Sequence, residues 1–182
     1  ISLRLQYLGD SVGKEHIRAV DLAVLVTPRT VKEMPDIIAD WSTAAASSWS
    51  LSSTNVYLTT LSSIPSKGAR RLLRDISSKV IPKLATASPS QLCSTAAAFG
   101  RTHVRNDELC DAMAERAGAL VKELTLHQAT IVLSALAAVE YRKNKAFLDL
   151  APLVLDGVSS ATAHHVANLI VSYAKLVVWN YK

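Results

Sequence analysis

Apolar residues recur along the second half of the chain at spacings of four and three, the pattern of a helix with one buried face. This stripe appears three times in the same register, with 37 residues between equivalent positions. Its members are Leu92, Ala96 and Phe99, then Ala129, Leu133 and Leu136, then Val166, Ile170 and Tyr173. A fixed period of this length predicts a solenoid of stacked helical hairpins, in which each stripe belongs to the first helix of a hairpin.

A column of hydroxyl residues precedes the three stripes. Ser88, Thr125 and Thr162 occupy equivalent positions, and serine and threonine are favoured helix N-caps. Gln91 and Gln128 follow two of these caps by three residues, which predicts a capping box in two repeats. After the stripes comes a column of small residues, which predicts that the first helices of neighbouring hairpins approach closely. Its members are Gly100, Ala137 and Ala174.

The pattern predicts an all-α fold, an α-α solenoid of about four and a half helical hairpins with a 37-residue period. We expect hairpins over about 14–46, 52–84, 88–122 and 125–158, and a first helix over 162–179, in a single array across 1–182. Because the last helix lacks a partner, we expect the chain to be a fragment of a longer array.

Local irregularities are expected at four positions. Residues 28–30 predict a turn inside the first hairpin, and Pro35 places the start of its second helix. The second hairpin fits the period less well, by one residue, because Leu51 occupies its cap position. Pro152 lies inside a predicted helix and should bend it.

The charge distribution adds a candidate function. The 182 residues include 20 Lys and Arg against 15 Asp and Glu, a net charge of +5 that favours an anionic partner. Ten of the 20 cations fall in the four turns inside the hairpins, whereas the turns between hairpins contain none. The predicted phosphate-binding residues are Arg29, Lys32, Lys67, Arg70, Arg71, Arg101, His103, Arg105, Arg142, Lys143 and Lys145. In a solenoid these turns align, which predicts a positive stripe along one edge.

Two interpretations of this stripe remain open. Lysine and arginine at one edge can bind the phosphates of a nucleic acid and release its counterions. The same cations also follow helix C-termini, where they stabilise the helix dipole. Acidic residues such as Asp107 and Asp111 lie just beyond one turn, and Glu33 and Asp36 lie beyond another. These carboxylates are able to neutralise the stripe locally.

Other polar and aromatic residues give weaker signals. His16, His127 and His164 share one column but would lie on separate hairpins, too far apart to hold one metal, so we expect helix-start side chains. Five aromatic residues are candidates for stacking on bases, although the position of Tyr173 in a stripe predicts packing instead. They are Tyr57, Tyr141, Tyr173, Trp179 and Tyr181.

Few other residues in the sequence suggest a chemical function. Cys93 and Cys110 are 17 residues apart without a His/Cys cluster, which predicts buried, reduced thiols. No catalytic or phosphate-loop motif occurs, so we expect neither enzymatic activity nor a cofactor or metal. No apolar run is long enough to span a bilayer, so we expect no membrane partner. The chain begins at Ile1, which leaves any targeting peptide out of view.

Three segments carry a resemblance to a known family. Residues 91–100, 128–138 and 166–176 share a cap, a glutamine-like position and an apolar run that ends in small residues. They resemble the first helix of the heptatricopeptide repeat, which is related to the octotricopeptide repeat and to the repeats beside RAP domains. The 37-residue period agrees with this form and differs from the 34 residues of tetratricopeptide and the 33 of ankyrin repeats.

The resemblance implies an organellar RNA-binding solenoid. We therefore expect a non-catalytic component of a mitochondrial ribosome, located in the matrix, whose partners are rRNA and neighbouring ribosomal or ribonucleoprotein subunits. One alternative is an organellar RNA-processing or stability factor that uses the same surface. A second alternative is a scaffold that binds protein segments without RNA.

Overall fold

The computed structural model describes the backbone of residues 17–33 and 35–180 and the side chains of 17–33 and 35–175. All regular secondary structure within these residues is helical, so the predicted all-α solenoid class is confirmed. The helices are α1 (Ala19–Leu25), α2 (Pro28–Glu33), α3 (Pro35–Ala46), α4 (Leu51–Ser62), α5 (Lys67–Leu84), α6 (Pro89–Thr102), α7 (Asp107–Ala119), α8 (Leu126–Ala138), α9 (Lys145–Gly157), a 3₁₀ turn (Val158–Ser160) and α10 (Ala163–Asn180). Helix α9 runs through Pro152, and the bend expected there stays a prediction.

The chain forms two compact units, Ile1–Lys83 and Leu84–Lys182. In the second unit, α8 packs between α6 and α10 in one layer, and α7 packs on α9 in the other. Each first helix also contacts the second helix of its own hairpin, as in α6 with α7 and α8 with α9. In the first unit, α1 packs on α4 and on α3, and α2 packs on α3. This two-layer arrangement of neighbours is the packing of a helical solenoid.

The hydroxyl column does begin the first helices of the second unit. Ser88 Oγ accepts from the Gln91 amide at 3.3 Å, and the Gln91 side chain accepts from the Ser88 amide at 2.9 Å. Thr125 and Gln128 repeat this capping box, so both predicted boxes are confirmed. In the first unit the cap is Ser50, which accepts from the Ser53 amide at 3.1 Å. Ser50 precedes Ser88 by 38 residues rather than 37, which accounts for the loose register of the second hairpin.

The apolar stripes of α6 and α8 form the core of the second unit, and all six predicted residues are fully buried. On α10, the residues that are buried differ from those of the predicted third stripe. Ile170 is 63% exposed, whereas Leu169 and Ser172 are buried. Helix α10 packs mainly on α8, so only the residues on the face toward α8 are buried. The prediction that Ile170 is buried is therefore wrong.

The first hairpin contains an additional short helix. Residues 28–30 were expected to form a turn, but they begin α2. Thr27 and Thr30 cap this helix reciprocally: the Thr27 amide donates to Thr30 Oγ1 at 2.7 Å, and the Thr30 amide donates to Thr27 Oγ1 at 3.1 Å. Pro28 occupies the first helical position, where its missing N–H has no cost. The turn prediction is therefore wrong, and α3 begins at Pro35 as expected.

Cys93 and Cys110 are free thiols and both are buried, as predicted. Burial raises the pKa of each thiol to about 11. Because the thiolate is the reactive form, we expect a disulfide reagent at pH 8 to modify both cysteines about a hundredfold more slowly in the native protein than in denaturant. A stopped-flow assay would measure the two rates, and similar rates in both states would contradict the buried positions.

Candidate nucleic-acid interface

Every predicted phosphate-binding side chain of the described chain is exposed. In the first unit these are Arg29, Lys32, Lys67, Arg70 and Arg71, and in the second unit Arg101, His103, Arg105, Arg142, Lys143 and Lys145. Each is therefore accessible to a ligand. Their binding of phosphate stays a prediction.

In the first unit, the two basic turns lie side by side. Gly68, at the start of α5, is so close to α2 that an added Cβ would lie 2.8 Å from the Val31 carbonyl oxygen. Arg71 Nη1 of α5 lies 2.9 Å from Asp36 Oδ1 of α3. The cations of the Pro28–Glu33 helix and of the turn before α5 therefore share one edge of this unit.

The second unit brings its two basic turns together in the same way. His103, which follows α6, places Nδ1 2.9 Å from the carbonyl oxygen of Ala138 at the end of α8. Tyr141 and Lys143, which lie between α8 and α9, both donate to the Asp111 carboxylate of α7, at 2.7 Å and 2.7–2.8 Å. The predicted alignment of turns therefore holds within this unit.

Carboxylates neutralise several of these cations. Lys143 lowers the pKa of Asp111 by its hydrogen bond, and Arg105 lowers the pKa of Asp107 in the same way, so both carboxylates stay ionised. Exposed pairs of this kind add little stability, but they occupy cations that would otherwise face solvent unpaired. The pairs are Arg29 with Glu33, Arg71 with Asp36, Arg105 with Asp107, Lys143 with Asp111, and Lys145 with Asp149.

Four of the predicted cations have side chains without a hydrogen bond or ion pair to another described residue: Lys32, Lys67, Arg70 and Arg142. A phosphate that binds them displaces only water. The set divides between the two units, three in the first and one in the second. The four carboxylates that were expected to neutralise the stripe, Glu33, Asp36, Asp107 and Asp111, do pair with cations. The pairs of Arg71 and Lys143 join residues far apart in sequence, so the four unpaired cations are identified only by the structure.

His103 has a structural role at the same edge. Its backbone is left-handed, with φ 53°, and closes the C-terminus of α6. Since a carbonyl only accepts, His103 Nδ1 carries the proton that reaches Ala138. The Nε2 atom of the neutral ring then accepts hydrogen bonds and does not donate them. Binding of phosphate by His103 stays a prediction.

Two further cations stabilise the opposite ends of the hairpins. Lys83 Nζ donates to the carbonyls of Ala46 and Trp49, and burial lowers the pKa of Lys83. Arg116 Nε donates to the carbonyl of Ala87 at 2.8 Å. Both side chains reach back to residues about one repeat earlier, and no local pattern in the sequence marks them.

The aromatic candidates are mostly unavailable for stacking. Tyr57 is fully buried and Tyr141 is 3% exposed, so the prediction that they stack on bases is wrong: both rings fill the core. Tyr173 is half-buried against Phe147, edge to face at 5.3 Å, and packs as expected. The side chains of Trp179 and Tyr181 lie outside the described residues.

The histidines lie where their column predicted, at helix starts. His127 and His164 are exposed, whereas His16 lies outside the described residues. Sequence reasoning missed a contact between repeats: His127 Nδ1 lies 3.1 Å from Nε2 of His165. Within the described chain no group of three or more His, Cys, Asp or Glu is arranged to hold a metal. Along this part of the chain, no helix has both the length and the apolar character needed to cross a bilayer.

The comparison with protein families corrects the resemblance drawn from the repeats. Residues 36–182, more than three quarters of the chain, match the family described as RNA-editing substrate-binding complex 6 protein (RESC6). No curated protein matches the chain. The resemblance to heptatricopeptide, octotricopeptide and RAP-associated repeats is therefore wrong, because helix caps and a regular period are features that unrelated helical arrays share. The chain belongs to the family of the RNA-editing substrate-binding complex 6 protein.

Proposed function

We propose that this protein binds RNA as a non-catalytic component of an RNA-editing substrate-binding complex. The family match supports a role in RNA processing. The observation that carries the RNA-binding part is the set of exposed cations without internal partners among the described residues, Lys32, Lys67, Arg70 and Arg142, at the edges where the basic turns align.

The family favours the alternative of an RNA-processing factor over a structural part of a ribosome. Nothing in the match supports rRNA or ribosomal subunits as partners, so we set the ribosomal role aside. The editing complexes of trypanosomatids, to which the family relates, are mitochondrial. We therefore keep the mitochondrion as the proposed location, and fluorescence of the tagged full-length protein against an organelle marker tests it.

The unpaired cations would act on the RNA backbone rather than on its bases. A lysine or arginine that neutralises a phosphate releases a condensed counterion, so the affinity falls as salt rises. Such contacts set affinity and position but carry no sequence information. This surface alone therefore accounts for general RNA binding.

We expect the double variant Arg70→Glu and Arg142→Glu to bind single-stranded RNA at least tenfold more weakly than the wild type. Each variant position removes one phosphate contact, so the slope of log affinity against log salt should fall by about 1.4 in total. Fluorescence anisotropy with a labelled 20-nucleotide RNA at several salt concentrations measures both quantities.

The matched control is the double variant Lys79→Glu and Lys122→Glu. It changes the net charge equally, also places one substitution in each unit, and alters solvent-accessible cations away from the basic turns. Equal losses in both variants would mean that only the net charge matters, and the proposed surface would be wrong.

One observation favours a protein-binding role as a second candidate. Large apolar side chains are exposed on α9 and α10: Leu148 is 64%, Leu155 71% and Ile170 63% exposed. Exposed apolar patches often mark contacts with other proteins. Co-purification that survives ribonuclease treatment would support this role, and loss of all partners after the treatment would contradict it.

A further inference from the structure

A groove of about 440 Å³ lies on the layer formed by α6, α8 and α10. Its volume is in the range of sites that hold small molecules. All three helices contribute to its walls, so the site exists only because neighbouring repeats stack. Of the residues chosen from the sequence pattern for base stacking, the three with described side chains, Tyr57, Tyr141 and Tyr173, do not line it.

Small residues line the floor of the groove, between α6 and α8. Gly100 of α6 lies so close to α8 that an added Cβ would be 2.7 Å from Ala135 Cα. Ala97 and Ala138 continue this surface, and Ile131 adds apolar area. A planar ring can therefore lie on the floor without meeting a long side chain there.

The histidines at the rim have assigned tautomers. The Thr162 amide donates to His165 Nδ1 at 3.4 Å, so this nitrogen is the acceptor. His165 Nε2 then carries the proton and donates to His127 Nδ1 at 3.1 Å. In the neutral His127 ring, Nε2 is consequently protonated. This N–H is a donor without a partner among the described residues.

Asn168 completes the polar side of the groove. Its Nδ2 donates to His164 Nε2 at 3.0 Å, which leaves the carbonyl oxygen as an acceptor and the second N–H as a donor. An amide that offers both is suited to the edge of a nucleobase, which also carries adjacent donors and acceptors. With the hydrogen-bond roles assigned above, His127 and Asn168 offer a donor and a donor–acceptor pair that suit a polar heterocycle.

The charge of the groove suits a ligand that also carries a phosphate. Among the described residues that line the groove none is acidic, and Arg101 is the one with a permanent charge. Arg101 also belongs to the predicted phosphate-binding set of the second unit. The groove is therefore continuous with the basic edge of that unit.

We propose that this groove binds an unpaired nucleobase of single-stranded RNA, with the base on the small-residue floor, its edge at His127 and Asn168, and its phosphate at Arg101. The inference rests on the proposed RNA binding and adds to it a site that contacts a base. A nucleobase fits better than a peptide side chain because small residues line the floor, the rim has neutral donors and acceptors, and the one charged residue among the described lining residues is positive.

The test is the double variant His127→Ala and Asn168→Ala in the full chain. Both side chains lie at the surface of helices, so alanine should preserve the fold, which circular dichroism and a thermal melt would verify. Loss of one base contact should weaken binding to a labelled single-stranded RNA about tenfold. The salt slope should stay unchanged, because the lost contacts are uncharged. Differences in affinity among 12-nucleotide homopolymers of A, C, G and U should also shrink.

The matched control truncates Ile170 and Val171 to alanine, two exposed residues of α10 outside the groove. A second readout is photocrosslinking of RNA that contains 4-thiouridine, followed by identification of the modified peptide. Crosslinks within α8 or α10 are expected. Unchanged affinity of the groove variant, a reduced salt slope, or crosslinks only at the basic turns would overturn the proposal.

The outcomes separate this inference from the proposed function. A wild-type protein that binds no RNA at low salt contradicts both. A protein whose binding depends on Arg70 and Arg142 but not on His127 and Asn168 supports the proposed function and excludes the base site. If a peptide bound in the groove and left the affinity for RNA unchanged, the occupant of the groove would be protein and the base site would be wrong.

Discussion

Replacing Phe99 with alanine is expected to lower the free energy of unfolding by about 3–5 kcal/mol. The ring is fully buried in the second unit, and its loss removes apolar area from the core and leaves a cavity. Leu136, in the same stripe position one repeat later, is also fully buried. Leu136→Ala should cost about 2–5 kcal/mol for the same reason.

Urea denaturation followed by circular dichroism measures these changes. Leu148→Ala is the matched control, since this leucine is 64% exposed on α9 and its truncation should change the free energy of unfolding by less than about 0.5 kcal/mol. A neutral Phe99→Ala variant would show that the stripe does not form the core and that the repeat register is wrong.

Gly100→Ala is expected to destabilise the protein by about 1–2 kcal/mol, although alanine is the better helix former by about 1 kcal/mol. The added Cβ would lie 2.7 Å from the Ala135 Cα. This obstacle is backbone, so no side-chain rotation relieves it, and α6 and α8 must separate. Overpacking of this kind costs about 1–3 kcal/mol.

Gly118→Ala is the comparison that isolates the clash. Its Cβ would also meet an atom at 2.8 Å, but that atom is Oδ2 of Asp149, the end of a side chain that can rotate away together with its exposed ion-pair partner Lys145. We therefore expect Gly118→Ala to be neutral or slightly stabilising in thermal melts. If both glycine variants behaved alike, the tight approach of α6 and α8 would not be a structural constraint.

The repetitive part of the fold was predictable from local chemistry. Ser88 and Thr125 begin helices because each is followed by glutamine at the position that closes a capping box. The stripes of α6 and α8 are buried because each of these helices has neighbours that match its apolar face. The sequence also signalled α2, through Pro28 between two threonines, but the proline was interpreted as a turn.

The features of the fold and of the candidate site that the sequence did not predict depend on contacts between residues far apart in the chain. The face that α10 buries follows from packing on α8, which the period alone does not determine. The pairing of Lys143 with Asp111, 32 residues apart, removed a cation that looked available in sequence. His165 stands where the earlier repeats have glutamine, yet its ring both caps α10 and touches His127.

The ion pairs at the basic edges also affect which anions can bind. A carboxylate such as Asp111 is tethered beside its cation, so it competes at a high effective concentration with any phosphate in solution. A free nucleotide would gain little from displacing it. A polymer engages several cations in succession and gains from each contact. On the proposed binding of RNA, we therefore expect the paired carboxylates to make these edges favour polyanions over the abundant mononucleotides of the cell.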